Sequence, residues 1–325
     1  MPTDQRRDRP KVQVQIVTYN SADSIEACIC SVLSQTLAID SILVIDNNSK
    51  DETVLLVREF PGVTVICCPV NLGYAGGHNI GFARAAGSGV DYVVTLNPDV
   101  RMERGYLECL VDKMLSTNLG GITGKLVRPC GVLDSAGLEM QGLFHVRDRG
   151  SEQPDGPRYA VSEGVWGICG AAAMYRMAML ETIRLPNGMF LDESFFVYKE
   201  DVDLCWRARH RGWNFQYEPT AVATHRRTWS RHSRMADRVV AHSYANQVAL
   251  LLRHVDAFSL ELFAAVAVEL VRFFLLMIRR PKAGFQSLRL ITKNFRHNLR
   301  IRNYLRNTLI SDGGVGHDFG YPSNV

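Results

Sequence analysis

No Cys-x-x-Cys pair occurs among the eight cysteines, and most of them sit inside apolar runs. That excludes the usual zinc spacings and a disulfide scaffold, and it points to free thiols in a reducing compartment. No G-x-G-x-x-G and no G-x-x-x-x-G-K-[ST] occur in the chain, so neither the dinucleotide fingerprint nor the P-loop is available. The first ten residues, MPTDQRRDRP, contain no apolar stretch of the signal-peptide kind, which leads to the expectation of a cytoplasmic protein. Internal repeats and low-complexity tracts are missing. The formal net charge is only +4 over 325 residues, too little for a bulk field, and no nucleic-acid partner is expected. Even the longest apolar run, 262–278, is interrupted by Glu269 and Arg272. It falls short of the roughly 20 apolar residues that a membrane span needs.

What is present alternates. Apolar, β-branched runs at 12–17, 42–45, 63–67 and 92–96 read as strands. Helical patterns lie between them, over 23–35, from Ser49 onward, and after a glycine-rich loop at 71–81. Strand and helix in alternation imply an α/β fold with a mostly parallel sheet and helices on both faces. Beyond Gly120 the rhythm becomes mixed, with β-like pieces at 122–127, 142–146 and 168–175, a helix over 200–210, and two short strands at 215–217 and 221–224. From Met235 the chain reads as helical. Its end is basic from Arg272 on, and the run at 262–278 fits an interfacial amphipathic helix facing anionic lipid; a buried core helix is the plain alternative. The expected organisation is a tail at 1–10, an α/β domain at 11–232, a separable helical region at 233–310 and a tail at 311–325. A homo-oligomer stays open.

In an open parallel sheet, ligands bind at the carboxyl ends of the strands. Polar clusters fall there: Thr18-Tyr19-Asn20, Asp46-Asn47, Asn71 with the glycines Gly73, Gly76 and Gly77, and Asn97-Pro98-Asp99. Any one of them reads as an ordinary turn; four at one edge read as a site. Asp99 offers hard carboxylate oxygen suited to a divalent cation on a diphosphate. His225 could ligate a metal, and Arg226 and Arg227 suit phosphate. Glu200, Asp201 and Asp203 open a helix, where acids also complement the helix dipole.

The order Val17-Thr18-Tyr19-Asn20, Asp46-Asn47-Asn48, Asn71-Leu72-Gly73-Tyr74-Ala75-Gly76-Gly77-His78-Asn79, Asn97-Pro98-Asp99, Glu200-Asp201 and His225 resembles glycosyltransferase family 2, and within it the rhamnosyltransferase branch. The resemblance covers about residues 11 to 230. It implies the GT-A fold, with a nucleotide-binding half at 11–119 and an acceptor-binding half at 120–232. It also implies a reaction: inverting transfer from a nucleotide-sugar, dTDP-rhamnose or a UDP-sugar, to a saccharide acceptor that is free or lipid-linked, in cell-surface polysaccharide synthesis. Thr18, Tyr19, Asn20, Asp46, Asn47, Asn71, Gly76, Gly77, Asn79, Asn97, Arg226 and Arg227 would contact the donor. Asp99 and His225 would hold Mn²⁺ or Mg²⁺. Asp201 would be the base, with Glu200 and Trp166 on the acceptor side. Asn97 and Asn47 stand where the family carries acids. Two other functions compete: a catalytically degenerate scaffold in an envelope-assembly complex, favoured by Asn97, and a nucleotidyltransferase, which would want a basic glycine-rich loop where Thr18-Tyr19-Asn20-Ser21 stands.

Overall fold

Valine and isoleucine dominate the early strands, and β-branched side chains pack well on a pleated surface covered on both faces. In a computed structural model, which describes residues 9–227 and 235–311, they form β1 (Val12–Thr18), β2 (Ser41–Asp46), β3 (Val63–Cys67) and β4 (Tyr92–Leu96). These four strands run parallel in the order β3-β2-β1-β4. Helices α1 (Ile25–Leu33), α2 (Thr53–Arg58) and α3 (Gly73–Ser88) are the connections between them.

The second half extends the same sheet. After β5 (Val100–Met102) and α4 (Tyr106–Ser116) come β6 (Gly121–Val127) and β7 (Leu133–Ser135), then a hairpin of β8 (Leu138–Gln141) and β9 (His145–Asp148). The edge strand β10 (Glu163–Val165), the strand β11 (Ala172–Arg176), α5 (Met177–Thr182), α6 (Glu200–His210) and β12 (Phe215–His225) follow. β11 lies antiparallel between β4 and β6, and β12 runs parallel to β6. The sheet is therefore mixed, with its parallel part in the first half.

Several local expectations change. Residues 73–81 form the first part of α3 instead of a loop, because the glycines let this helix press against the sheet. The two short strands expected at 215–217 and 221–224 are one strand, β12, with a register shift between Glu218 and Val222; Pro219, which has no N–H for the ladder, lies in that shift. The expected strand at 142–146 begins only at His145, and that at 168–175 only at Ala172. The expected tails, apart from residues 9–10 and 311, and the boundary at 232 lie outside the described residues.

The C-terminal helices α7 (Asp237–His254), α8 (Leu260–Arg279) and α9 (Pro281–Ser311) are not a detachable appendage. α7 brings Arg253 into full burial, where it bonds to Asp203 at 3.1 Å, Asp192 at 2.6 Å and Asn298 of α9 at 2.8 Å. α8 differs: only Ala265 and Glu269 on it are buried, which removes the buried-core-helix alternative.

Candidate active site

The strand register brings the polar clusters to one edge, with Thr18 beside Asp46 and Asp46 beside Cys67. The loops after β1 and β2 are laced together. Lys50 donates its N–H to Asn20 Oδ1 at 2.8 Å, and Asn20 donates its own to Ser49 Oγ at 2.9 Å. Asp46 is buried and accepts from the Ser49 N–H and hydroxyl. Thr18 is also buried, and its Oγ1 has no partner among the described residues. Tyr19 is half exposed at the same edge. A rim that holds an unsatisfied hydroxyl and an open aromatic ring can take a nucleoside.

The third cluster turns inward. Asn47 donates from Nδ2 to Gly73 O at 2.9 Å and accepts from Leu72 N at 3.3 Å, and Asn71 Oδ1 accepts from Gly73 N. Both atoms of the Asn47 amide and the oxygen of Asn71 therefore bond to the start of α3. Asn79 is 4% exposed; its Oδ1 accepts from Phe190 and Leu191 N–H, and its Nδ2 donates to Leu191 O. A Cβ on Gly77 would stand 2.7 Å from the Val17 side chain, and one on Gly76 would stand 2.7 Å from Leu72. Gly77 and Asn79 hold α3 against β1 and the 190–193 loop, while Asn47, Asn71 and Gly76 shape its start; donor contacts were expected of all five. A buried amide with four hydrogen-bonding sites satisfies backbone groups that water cannot reach.

Asp99 and His225 do meet. His225 Nε2 lies 3.2 Å from Asp99 Oδ1, and its Nδ1 lies 2.6 Å from Asp134 Oδ2. Asp134 is fully buried and also receives Arg128 at 2.9 Å and Arg227 at 2.8 Å; Arg227 reaches Asp148 at 2.9 Å. Burial pushes the Asp134 carboxyl up, but the His225 hydrogen bond and the Arg227 charge outweigh it and hold the group at about 2. Burial disfavours charge on His225, yet its bonds to Asp134 and Asp99 raise it to about 9. A carboxylate on Nδ1 is the arrangement that aims the opposite imidazole nitrogen at a metal. Among the described residues no group of three His, Cys, Asp or Glu is arranged to hold an ion. Asp99 and His225 alone suit a cation that keeps water and donor oxygens as its remaining ligands. Arg227, expected on phosphate, is drawn into the acids behind His225. Arg226 stays exposed beside Asp99, tied to it through the main chain at 2.9 Å.

Asp201 accepts from Gly170 N at 3.1 Å and from Val202 N at 2.8 Å. Burial raises its pKa against those two N–H groups, and the charge of Asp148 adds to burial. Glu200 is 6% exposed, with an Oε2 that meets no partner among the described residues. Burial and then the Asp201 charge raise it well above the carboxylate range. Of the two adjacent carboxyls, buried Glu200 keeps the proton, and half-buried Asp201, held by main-chain N–H groups, is the one that ionises. The Gly170-Ala171 turn links the two regions: Gly170 N reaches Asp201, and Ala171 O accepts from Asn97 N at 2.8 Å. Tyr74 and Thr95 both donate to Gly170 O. Trp166, expected on the acceptor side, is buried edge-on against Trp206, ring centroids 5.6 Å apart. It supports α6 from within.

Sequence reasoning missed Asp134, Asp148, Arg128, Tyr74 and Gly170. The one available signal for Asp134 was an acid inside the β-rich stretch 132–135; only the fold supplies its partners.

With that geometry in hand, the sequence profile of glycosyl transferase family 2 matches residues 13–184, more than half of the chain. The chain belongs to glycosyl transferase family 2. It is 28% identical over 268 residues to the N-acetylglucosaminyl-diphospho-decaprenol L-rhamnosyltransferase of Mycobacterium tuberculosis, with 74% of this chain and 84% of that protein covered. This similarity bears out the resemblance to the rhamnosyltransferase branch. Among solved structures, GalNAc-T7 with UDP, GalNAc and Mn²⁺ superposes with a TM-score of 0.59 at 13% identity; 94% of this family 2 chain is covered, and the chain spans 57% of that protein. Residues 1–349 of S. aureus TarS with UDP-GlcNAc give 0.55 at 15%, covering 93% and 89%. At such identities the likeness is one of fold, the GT-A fold expected from sequence. The chain is a glycosyltransferase.

Proposed function

We propose that this glycosyltransferase moves rhamnose from dTDP-rhamnose onto a hydroxyl of a lipid-linked saccharide, with inversion at the anomeric carbon, in the synthesis of a cell-surface polysaccharide. The observation that carries the mechanism is Asp201: a half-buried carboxylate with a raised pKa, held by two N–H groups and one turn away from Asn97. The donor and acceptor follow the Mycobacterium tuberculosis relative, whose acceptor carries N-acetylglucosamine on diphospho-decaprenol.

In this reading Thr18 and Tyr19 receive the nucleoside, and Asn97 and Arg226 face the diphosphate. Asp99 and His225 would hold a divalent cation, Mn²⁺ or Mg²⁺, which when bound neutralises charge on the leaving diphosphate. Asp134 keeps the His225 ring in orientation. Asp201 takes the proton of the acceptor hydroxyl as its oxygen forms the new bond to the anomeric carbon. The bond to the diphosphate oxygen breaks with its electron pair and leaves the nucleoside diphosphate. A single displacement inverts the centre. Neutral Glu200 beside it leaves Asp201 as the carboxylate of the pair that takes the proton and is neutralised by it.

The test is product formation by purified protein from a panel of dTDP- and UDP-sugars, with a polyprenyl-diphospho-N-acetylglucosamine acceptor and with or without Mn²⁺. Turnover with dTDP-rhamnose is expected, and Asp201→Asn should lower it by about 10²–10⁴-fold while donor binding persists. Wild-type turnover in a folded Asp201→Asn protein would refute the base. Donor binding without transfer or donor hydrolysis under any condition would instead favour the scaffold function, for which Asn97 in place of an acid is the supporting feature.

A further inference from the structure

The C-terminal helices turn a large amount of apolar side chain outward. On α8, Phe263, Leu270, Val271, Phe274 and Ile278 are each 61–65% exposed. On α9, which packs along α8, Phe285 is 64% exposed, Leu288 45%, Phe295 44% and Leu299 37%. One exposed phenylalanine is ordinary; a run of them over two adjoining helices marks an interaction surface. Among the described residues no helix is long and apolar enough to cross a membrane.

The charge beside this surface selects its partner. The α9 positions 285, 288, 295 and 299 recur at three-, seven- and four-residue steps and form one stripe. Lys282, Arg289, Lys293, Arg296 and Arg300 lie about 100° further round the helix, all exposed. The 31 residues of α9 contain no Asp or Glu to pair with them. An apolar stripe bordered by cations that pair with no acid among the described residues matches the boundary between acyl chains and anionic headgroups. A second copy of the chain matches less well, because an isologous contact would set the same cationic edges against one another.

We propose that α8 and α9 lie in the headgroup region of an anionic leaflet, with the apolar side chains on the acyl boundary and the α9 cations on lipid phosphates. α8 is tied to the catalytic half. Glu269 pairs with His145 at 3.0 Å, and the backbone of the next residue, Val146, is reached from the start of α6: Lys199, the residue before Glu200, bonds through Nζ to Val146 O. The docked face therefore sits two contacts away from Glu200 and Asp201. This surface stands independently of the acceptor's identity.

Co-sedimentation of the full chain tests it, with phosphatidylcholine vesicles with and without phosphatidylglycerol. Binding is expected only with the anionic lipid and should weaken as salt rises, since exposed charges are screened over about 8 Å at physiological ionic strength. Replacing both Arg289 and Arg296 by Gln should weaken partitioning about twenty-five-fold, from roughly fivefold per cation. Phe263→Ser with Phe274→Ser should weaken it even at low salt. These side chains are exposed, so an unchanged melting temperature is the check on folding. Turnover of a short water-soluble acceptor by the same variants should be unchanged, which separates this surface from the reaction. Failure to bind anionic vesicles at low salt, variants that bind as the wild type does, or a dimer in sedimentation equilibrium that dissociates on the Phe263→Ser and Phe274→Ser changes would each overturn the proposal.

Discussion

His225 shows how a single residue type can be readable while its working state is not. Its position at the end of β12 follows from sequence order, as does its candidacy for metal. Its orientation depends on Asp134, 91 residues earlier in the chain. Asp134 is the point where Arg128, Arg227 and His225 converge, so its effect exceeds that of an ordinary surface acid. Asp134→Asn keeps the shape but removes the charge that fixes the Nδ1 proton. Partners behind metal-ligating histidines typically change metal affinity or activity about 10–100-fold when altered. The expected result is a fall of that size in turnover at limiting Mn²⁺, measured by metal titration, with partial recovery at saturating metal. An unchanged Mn²⁺ dependence in a folded variant would separate Asp134 from the site. The same residue marks the limit of sequence reading here. Asp99, Asp201 and His225 were legible because each closes or opens an element at the ligand edge. Asn47 and Asn79, expected on the donor, bond to backbone groups in the structure: an asparagine in a polar motif has the same appearance whether its amide faces a ligand or backbone, and only packing decides.

The segment before α6 carries a strain that no periodicity reveals. Phe196, Tyr198 and Lys199 have φ values of 59°, 67° and 68°, each costing about 1–2 kcal/mol for a residue with a Cβ. Such a conformation persists only where its surroundings impose it. Two elements do so. Asn246 of α7 donates from Nδ2 to the carbonyls of Phe195, Val197 and Tyr198 at 2.8–3.0 Å. At the start of α3, Tyr74 N donates to Phe196 O at 2.7 Å. Gly73 has φ +74°, and a Cβ there would lie 2.3 Å from Phe196 O, so the glycine is required by both conformation and space. The alternation of strands and helices was visible because buried β-branched runs and amphipathic periods are local signals. This clamp was not, because it joins residues near 73, 196 and 246. Asn246→Ala should release the segment that sets Glu200 and Asp201. kcat is expected to fall while the donor Kd, read by calorimetry, stays near the wild-type value. If kcat and Kd move together, the segment serves the donor side instead.

Across the whole molecule, the C-terminal helices and the catalytic half share one buried network. Asp203 receives Arg207 at 2.8 Å, Arg253 at 3.1 Å and His254 at 3.0 Å, and Asp192 receives Arg253 and His297. The acids of the 200–203 cluster thus divide: Asp201, the proposed base, faces Gly170, and Asp203 fastens α6 to α7. A chain cut after Arg253 loses Asn298 and His297 from around that guanidinium, so the expected separability gives way to a prediction that the truncated protein unfolds or melts well below the full chain. Arg253→Ala leaves Asp203 and Asp192 buried beside one less cation, and removing one partner of a buried pair costs about 3–5 kcal/mol. The pH dependence follows from the same contacts. Burial opposes ionisation of both acids, but the charges of Arg207 and Arg253 hold Asp203 well below its usual range, and the His297 hydrogen bond with the Arg253 charge does the same for Asp192. A carboxyl depressed in the folded state contributes stability that is present above its unfolded pKa, about 3.9. That contribution is lost as pH falls toward the folded value, because the unfolded chain then binds more protons than the native one. The wild type should therefore hold its stability down to about pH 5 and lose it steeply below about pH 4. Arg253→Ala should be destabilised at neutral pH and lose less on acidification, since its acids are less depressed. Urea unfolding at a series of pH values reads both. Parallel pH profiles for the two proteins would show that the acid sensitivity lies in other carboxylates.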